Sequence, residues 1–282
     1  MRAIHREDAT VSSAIERELP AIARAVESIV RSLRKGGRLI YVGAGTSGRL
    51  ATLDAAECPP TFGVSPQLVQ AVVAGGRRAL TRAVEGAEDS AAQGARDLAA
   101  RHVSRRDAVV GLTASGTTPY VLGALKLARR RGAVTIGITA RRDAPISRVV
   151  AINIAPETGP ELIHGSTRMK AGTAQKTVLN TLSTASLVRL GRVYNNWMVD
   201  VALSNRKLRG RGLRILREAT GASEAQAARA LADSQGRMRI ALVMLRTGAN
   251  VAEARRRLRQ AGGDLRRALG EASPRGRAKR KG

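Results

Sequence analysis

Aromatic residues are scarce in this sequence, where Phe, Trp and Tyr together make up 2% of 282 residues. The hydrophobic residues, 43% of the chain, are therefore almost all aliphatic, and the core must be built from Ala, Val, Ile and Leu. Proteins that bind single-stranded nucleic acid stack its bases on aromatic side chains. The composition predicts an aliphatic globular core and argues against a module of that kind.

Cysteine is also nearly absent. Cys58 is the only one, which excludes an internal disulfide and every metal site made of several cysteines. His5, His102 and His164 are isolated in the sequence and lack the spacing of metal ligands. No run reaches the ~18 consecutive apolar residues of a membrane helix, and the first residues hold no apolar signal segment. We therefore expect a cytoplasmic protein without a metal site or a membrane span.

Acidic residues are few compared with basic residues. The chain carries 49 Lys and Arg against 22 Asp and Glu, a net charge of +27. Residues 255–282 hold eleven basic and two acidic residues, and only seven of all the basic residues are Lys. The remaining charge is spread along the chain, and spread charge governs solubility and non-specific binding rather than partner choice. We therefore expect no specific nucleic-acid partner.

The first half of the chain predicts alternating strands and helices. Apolar residues recur every three or four positions from Ser12 to Leu33, which indicates an amphipathic helix, kinked or restarted at Pro20. Strands are predicted at Arg38–Val42, Gln67–Val73, Asp107–Thr113, Ala133–Thr139 and Val149–Ile154, and helices at Arg49–Ala56, Arg77–His102 and Tyr120–Arg131. This alternation predicts an α/β fold, a five-stranded parallel sheet sandwiched by helices.

The second half predicts helices only. A polar loop at Gly165–Lys170 precedes a buried helix at Ala171–Leu190 and a helical stretch near Met198–Arg217. Ser223 and Gln226 form a capping box, followed by short amphipathic helices near 224–233, 236–247 and 251–260. We therefore predict an α/β domain at 1–219, a small three-helix module at 220–271 and a disordered basic tail at 272–282.

A glycine-rich loop follows the first predicted strand. Residues 43–48 read GAGTSG, which satisfies G-x-G-x-x-G, but the second strand ends in VVAGG without the acidic residue that a dinucleotide ribose requires. The loop instead offers the hydroxyls of Thr46 and Ser47 at a helix N-terminus, where backbone amides and the helix dipole favour an anion. A phosphate monoester fits this loop better than a dinucleotide.

A second hydroxyl-rich loop follows the third strand and contains Ser115, Thr117 and Thr118. The carboxyl ends of parallel strands share one edge of the sheet, so both loops together suggest a site for one polyol phosphate. The alternative is that these Ser and Thr residues are helix N-caps. Ser166 and Lys170 belong to a third candidate loop, whose positive charge suits a phosphate or a carboxylate.

Four carboxylates near these loops are candidates for an acid and a base: Glu57 and, within one short segment, Glu85, Glu88 and Asp89. Pro59 and Pro60 are expected to end the preceding helix and to leave Glu57 at a rigid turn. Glu88 lies in the segment AVEGAED. Two carboxylates beside a sugar phosphate suit general acid and base chemistry, and structural salt bridges are the alternative. Cys58 has no activating partner in the sequence, and we interpret it as a packing residue.

These motifs extend into four longer runs, GRLIYVGAGTSGRLATLDAAECPPTFGV, AVEGAED, ASGTTPYVLGALKLAR and HGSTRMKAGTAQKTVLNTLST. From about Arg6 to Leu269 the chain resembles the N-acetylmuramic acid 6-phosphate etherases, bacterial lyases of the sugar isomerase (SIS) fold. The resemblance implies a cytoplasmic, cofactor-free homodimer of cell-wall recycling. Its reaction would convert N-acetylmuramic acid 6-phosphate and water to N-acetylglucosamine 6-phosphate and D-lactate.

The resemblance also implies residue roles. The family's catalytic glutamates lie in motifs matched here by DAAECPP and VEGAED, so Glu57 would protonate the departing lactate oxygen and Glu88 would take the proton from sugar C2. The hydroxyl-bearing loops with which SIS domains hold sugar phosphates are matched by Thr46, Ser47, Ser115, Thr117 and Thr118. The alternative is a catalytically silent, sugar-phosphate-binding regulator related to glucokinase regulatory protein. That protein carries two SIS domains, whereas this chain has room for one.

Overall fold

The computed structural model describes residues 1–201, 203 and 206–271. The chain forms two compact units, the first made of Met1–Pro59 and Val64–Ser186 and the second of Pro60–Gly63 and Leu187–Gly282. The boundary expected at 220 falls inside the second unit, which begins its main segment at Leu187. The predicted basic tail at 272–282 lies outside the described residues.

A five-stranded parallel sheet forms the centre of the first unit, with the strand order β2-β1-β3-β4-β5. The strands are Leu39–Gly43 (β1), Val69–Val73 (β2), Ala108–Leu112 (β3), Val134–Ile138 (β4) and Ile152–Ile154 (β5). All residues of β1 and β3 are buried, as expected of strands covered on both faces. The predicted sheet is confirmed, although β5 is shorter than predicted because the N–H groups of Val149 and Val150 bond back to Ile146 in the preceding 3-10 helix.

Six helices accompany the sheet: Arg2–Glu16 (α1), Leu19–Arg34 (α2), Gly45–Phe62 (α3), Ala91–Ala99 (α4), Pro119–Arg130 (α5) and Lys170–Arg189 (α6). The predicted N-terminal helix is in fact two helices, and Pro20 lies in the first turn of α2, where a missing N–H costs nothing. Among the residues that the structure describes, no helix has both the length and the apolar composition needed to cross a bilayer.

The prediction that the prolines end the helix before Glu57 is wrong. α3 continues through Pro59 and Pro60 to Phe62, because the fixed φ of proline is itself compatible with a helix. The two prolines lack the N–H groups that would bond to the carbonyls of Ala55 and Ala56. Glu57 therefore lies inside a helix whose last turns have lost two of their own hydrogen bonds.

The predicted helix at Arg77–His102 is wrong over its middle part. Residues Gly76–Leu80 form a 3-10 helix and α4 begins only at Ala91. Gly86 lies between them with φ +70°, a left-handed conformation that interrupts a regular helix. The segment that carries Glu88 is therefore a turn.

Within its described residues, the second unit contains a short hairpin and five helices. Its described elements are Val193–Tyr194 (β6), Trp197–Met198 (β7), Arg206–Thr220 (α7), Glu224–Asp233 (α8), Met238–Thr247 (α9), Val251–Gln260 (α10) and Leu265–Ala268 (α11). The capping box of Ser223 and Gln226 is confirmed. Leu216 of α7 is buried with residues of the following helices, such as Ala227 and Val243. This packing explains why the unit begins before position 220.

A buried ion pair lies at the amino ends of β1 and β3. The Asp107 side chain is 2% exposed and accepts hydrogen bonds from Arg38 Nη2 at 2.9 Å and from the backbone N–H groups of Arg38 and Ser104, both at 2.8 Å. Burial alone would raise the pKa of Asp107, but these hydrogen bonds and the Arg38 charge lower it below its usual value. The fold therefore stabilises the ionised carboxylate.

We predict that Asp107→Asn lowers the free energy of unfolding at pH 7 by about 2 kcal/mol, since it weakens charge-assisted hydrogen bonds to a buried group. A carboxyl whose pKa is lowered by folding stabilises the protein above its unfolded pKa and loses that contribution as the pH falls through its folded value. The difference between wild type and variant should therefore shrink below about pH 4. Urea unfolding at several pH values measures it. A difference that does not change with pH would contradict this account.

Candidate active site

The two hydroxyl-rich loops lie at the same edge of the sheet. β1 and β3 are neighbours and run in parallel, with Gly43 opposite Leu112 at their carboxyl ends. α3 begins two residues after β1, at Gly45, and α5 begins at Pro119, after the second loop. The structure therefore brings Thr46 and Ser47 to the same edge as Ser115, Thr117 and Thr118.

The glycines of the first loop serve close packing. A Cβ atom at Gly43 would lie 2.8 Å from the backbone nitrogen of Gly48, and one at Gly48 would lie 2.6 Å from a methyl group of Val73. Ser47 is buried, and its hydroxyl donates to Gln175 Oε1 of α6 at 2.8 Å. Thr46 is half-buried. The tight turn thus presents the start of α3, and Thr46 with it, at the sheet edge.

The second loop is ordered by its own hydroxyl groups. Thr118 occupies the N-cap position of α5, yet its side chain caps no helical N–H and instead lies 2.8 Å from the hydroxyl of Thr113. Ser115 and Thr117 are exposed, and their hydroxyls are 2.9 Å apart. For Thr118 the N-cap alternative is therefore not what the structure shows. Two neighbouring hydroxyls remain accessible to a ligand.

The third loop approaches the first, but its lysine faces elsewhere. A Cβ atom at Gly172 of α6 would lie 3.5 Å from the Thr167 carbonyl oxygen and 3.6 Å from the Thr46 methyl group, so the first turn of α6, directly after the third loop, packs beside the first loop. Lys170 is 4% exposed, and its ammonium pairs with Glu7 of α1 at 2.5 Å. The structure therefore holds Lys170 in an ion pair rather than free to meet a ligand.

Glu88 lies beside the second loop. Its backbone carbonyl accepts a hydrogen bond from the N–H of Tyr120 at 3.0 Å, which fixes the turn against the first residues of α5. Its side chain is exposed. The segment that carries Glu88 is therefore fixed at the start of α5, directly after the loop that contains Ser115 and Thr117.

Glu57 is exposed on α3 and lies far along that helix from the first hydroxyl loop of its own chain. It lies eleven residues after Thr46 in one continuous helix, which corresponds to about 16 Å along the helix axis. That distance exceeds the length of a hexose phosphate. Glu88 therefore lies at the start of α5, next to the second loop, whereas Glu57 lies far along α3 from the first loop.

Asp54 is a buried carboxylate that the sequence analysis did not single out. It is 5% exposed and accepts hydrogen bonds from Tyr41 Oη of β1 at 2.8 Å and from Asn180 Nδ2 and Ser183 Oγ of α6 at 2.7 and 3.0 Å. Burial is the main reason that the pKa of Tyr41 is raised well above its usual value, and the negative charge of Asp54 raises it further. An aspartate three residues before Glu57 was the only signal in the sequence, and its partners are distant along the chain.

Gln175 was also missed. Its side chain is buried and accepts the Ser47 hydrogen bond, while its Nε2 has no partner among the described residues. Ser47 and Gln175 are separated by 128 positions, so spacing alone does not reveal the contact.

Comparison with known proteins first identifies the fold. Residues 84–185 match the model of the SIS domain, and residues 21–129 match that of the glucokinase regulatory protein N-terminal SIS domain. A phosphoheptose isomerase from Francisella tularensis is similar with a TM-score of 0.50 and 19% identity, over 66% of this chain and 93% of that one. A protein from E. coli CFT073, solved in complex with a ligand, is similar with a TM-score of 0.50 and 18% identity, over 68% and 88%. The chain is therefore an SIS-domain protein.

Its relatives identify the family. The N-acetylmuramic acid 6-phosphate etherase of Symbiobacterium thermophilum is 55% identical over 88% of this chain and 82% of the relative. The etherase of Mycolicibacterium smegmatis is 54% identical over 94% of this chain and 89% of the relative. The chain belongs to the N-acetylmuramic acid 6-phosphate etherase family, and the resemblance of its motifs is confirmed.

Cys58 follows Glu57 in the sequence, but its thiol is buried and weakly acidic. It is 2% exposed, and burial, together with the charge of Asp54, raises the pKa of its thiol to about 12. At pH 8 the thiolate fraction is then on the order of 10⁻⁴, whereas an ordinary thiol is about one quarter ionised.

We predict that iodoacetamide labels Cys58 slowly in the folded protein and readily in urea, as followed by mass spectrometry. Equal labelling rates in the two states would contradict the burial of this thiol.

Proposed function

We propose that the protein is a carbon–oxygen lyase that converts N-acetylmuramic acid 6-phosphate and water to N-acetylglucosamine 6-phosphate and D-lactate. Family membership supports the substrate. The observation that carries the proposal is the hydrogen bond that ties the Glu88 backbone to the start of α5, directly after a loop with two exposed hydroxyl groups at the carboxyl edge of the sheet, where open α/β folds bind ligands. The reaction is proposed to need no metal and no cofactor, and the protein to work in the cytoplasm.

The hydroxyl-rich edge is proposed to hold the phosphate group. α3 and α5 both begin there, so their N-terminal amides and dipoles favour an anion. The groups that would bind the sugar phosphate are Thr46, Ser47, Ser115, Thr117, Thr118, Ser166 and Lys170. Of these, Lys170 would take part only when its pair with Glu7 opens.

The chemistry assigns one proton transfer to each glutamate. In the open-chain sugar the C1 aldehyde acidifies the C2 proton, which Glu88 removes as the base to leave an enolate. The C3–O bond then breaks, its electron pair leaves with the lactate oxygen, and Glu57 supplies the proton that this oxygen takes. Water adds to the resulting C2–C3 double bond, with hydroxyl at C3 and a proton at C2. The net reaction consumes one water and releases D-lactate.

We further propose that the protein works as a homodimer. The separation of about 16 Å along α3 prevents Glu57 from reaching a sugar phosphate held by Thr46 of the same chain. Leu53, one turn before Glu57, is 51% exposed, and an exposed leucine is a suitable contact for another subunit. A second copy of the chain would bring its own Glu57 to the hydroxyl loops and complete the site.

A silent sugar-phosphate-binding regulator is the second candidate. The match of residues 21–129 to the glucokinase regulatory protein domain favours it. Such a protein would bind N-acetylmuramic acid 6-phosphate without releasing lactate.

We predict that purified protein releases D-lactate from N-acetylmuramic acid 6-phosphate, also in the presence of EDTA. In deuterated water Glu57→Gln should still exchange the C2 proton but lose lactate release about 10²- to 10⁴-fold, because only the assisted departure is lost. Glu88→Gln should lose both, since no enolate forms without the base. Proton NMR and a lactate assay give the two rates.

The matched control is Glu85→Gln, an exposed glutamate of the same turn, which should keep both rates. Exchange in Glu88→Gln but not in Glu57→Gln would reverse the two roles. Binding without any lactate from wild type would favour the silent regulator.

Mixing two inactive variants tests the shared site. If Glu57 acts in the partner's site, a heterodimer of Glu57→Gln with Glu88→Gln contains one intact site and one doubly altered site. We predict that a random mixture regains roughly a quarter of wild-type lactate release, since half of the dimers are mixed. If each chain built its own site, the heterodimer would contain two singly altered sites, and the mixture would regain no lactate release. The unmixed variants are the controls.

A further inference from the structure

We infer that Asp54 is a positioning residue for Glu57, because its buried hydrogen bonds fix the turn of α3 that carries this glutamate. The inference rests on the proposed function, since it gives Asp54 a part in the step that Glu57 performs.

The three hydrogen bonds of Asp54 come from two different elements. Tyr41 donates from β1, whereas Asn180 and Ser183 donate from α6. Bonds from two directions restrict both the rotation of α3 about its axis and its sliding along that axis. Ser47 and Gln175 add a second buried polar contact between α3 and α6, eight residues earlier on α6 than Ser183. The helix is therefore held at both ends of the stretch that leads to Glu57.

Stability alone does not account for a carboxylate at this position. Burial of a charged group is costly unless every hydrogen bond is made, and an apolar side chain of similar size is often at least as stabilising. Directional polar contacts instead fix the orientation of α3, since only one position of the helix lets Asp54 accept from all three donors. We therefore assign to the Asp54 carboxylate the role of orienting α3.

The turn that contains Glu57 needs this external support. Pro59 and Pro60 remove the helical hydrogen bonds to Ala55 and Ala56, so the backbone around Glu57 is held by fewer bonds of its own. Glu57 lies about 4.5 Å further along the axis than Asp54. Cys58 donates its thiol proton to the Asp54 carbonyl at 3.2 Å and packs inside the unit. Asp54 is therefore the nearest anchor for the exposed glutamate.

The test compares two rates in deuterated water, C2 exchange and lactate release. In Asp54→Ala all three donors lose their acceptor. We expect lactate kcat to fall about 10- to 100-fold, as for a misplacement near 1 Å. C2 exchange and KM should stay within about twofold of wild type, because neither depends on Glu57 and the Ser47–Gln175 hydrogen bond still holds the start of α3, which carries Thr46. Asp54→Asn keeps one oxygen for Asn180 and Ser183 and should restore most of the lactate rate. Tyr41→Phe removes one donor and should give an intermediate loss if Asp54→Ala does not fold.

The matched control is Asp107→Asn, which alters a buried aspartate at the opposite edge of the same sheet and should leave the ratio of the two rates unchanged. Parallel losses of exchange and lactate release in the Asp54 and Tyr41 variants, or the same change of ratio in the control, would overturn the inference.

The Glu57→Gln variant shows whether the positioning role of Asp54 or the proposed role of Glu57 has failed. If Glu57→Gln splits the rates and the Asp54 variants do not, only the positioning role fails. If Glu57→Gln does not split them, the proposed role of Glu57 fails first, and the positioning role with it.

Discussion

The parallel pairing of β1 with β3 is the constraint on which the candidate site depends. The two strands are in register from Leu39 opposite Ala108 to Gly43 opposite Leu112, so both hydroxyl loops start at the same level. At the other end Asp107 binds both the backbone and the side chain of Arg38. A shift by one residue would break that ion pair and move one loop away from the other. The register of the two strands thereby sets the level at which both loops begin.

Much of the fold could be predicted from the sequence because its signals are local. Runs of Val and Ile marked the five strands, and the capping box of Ser223 and Gln226 marked the start of α8. The predicted helices at 224–233 and 251–260 agree with α8 and α10, since each is amphipathic and has its cap encoded beside it. The two hydroxyl loops were found for the same reason: each directly follows a strand.

The remaining features depend on partners far away in the sequence. Pro59 and Pro60 read locally as a helix stop, but α3 is held by contacts such as those of Asp54 with Asn180 and Ser183, which lie more than a hundred positions later. The gap between Glu57 and the hydroxyl loops is equally invisible in a motif, since it follows from α3 being one unbroken helix. Sequence similarity supplied the roles of the glutamates, whereas the length of α3 places Glu57 about 16 Å along the helix axis from Thr46.

The ion pair between α1 and α6 has a consequence for how the family can vary. Lys170 is almost wholly buried, and the carboxylate that neutralises it comes from Glu7, 163 positions earlier. Replacement of Glu7 alone would leave a buried ammonium group without its counterion, which is far more costly than loss of the whole pair. Across related sequences that retain Lys170, position 7 is therefore expected to stay acidic, and a lysine without this partner is expected to be rare.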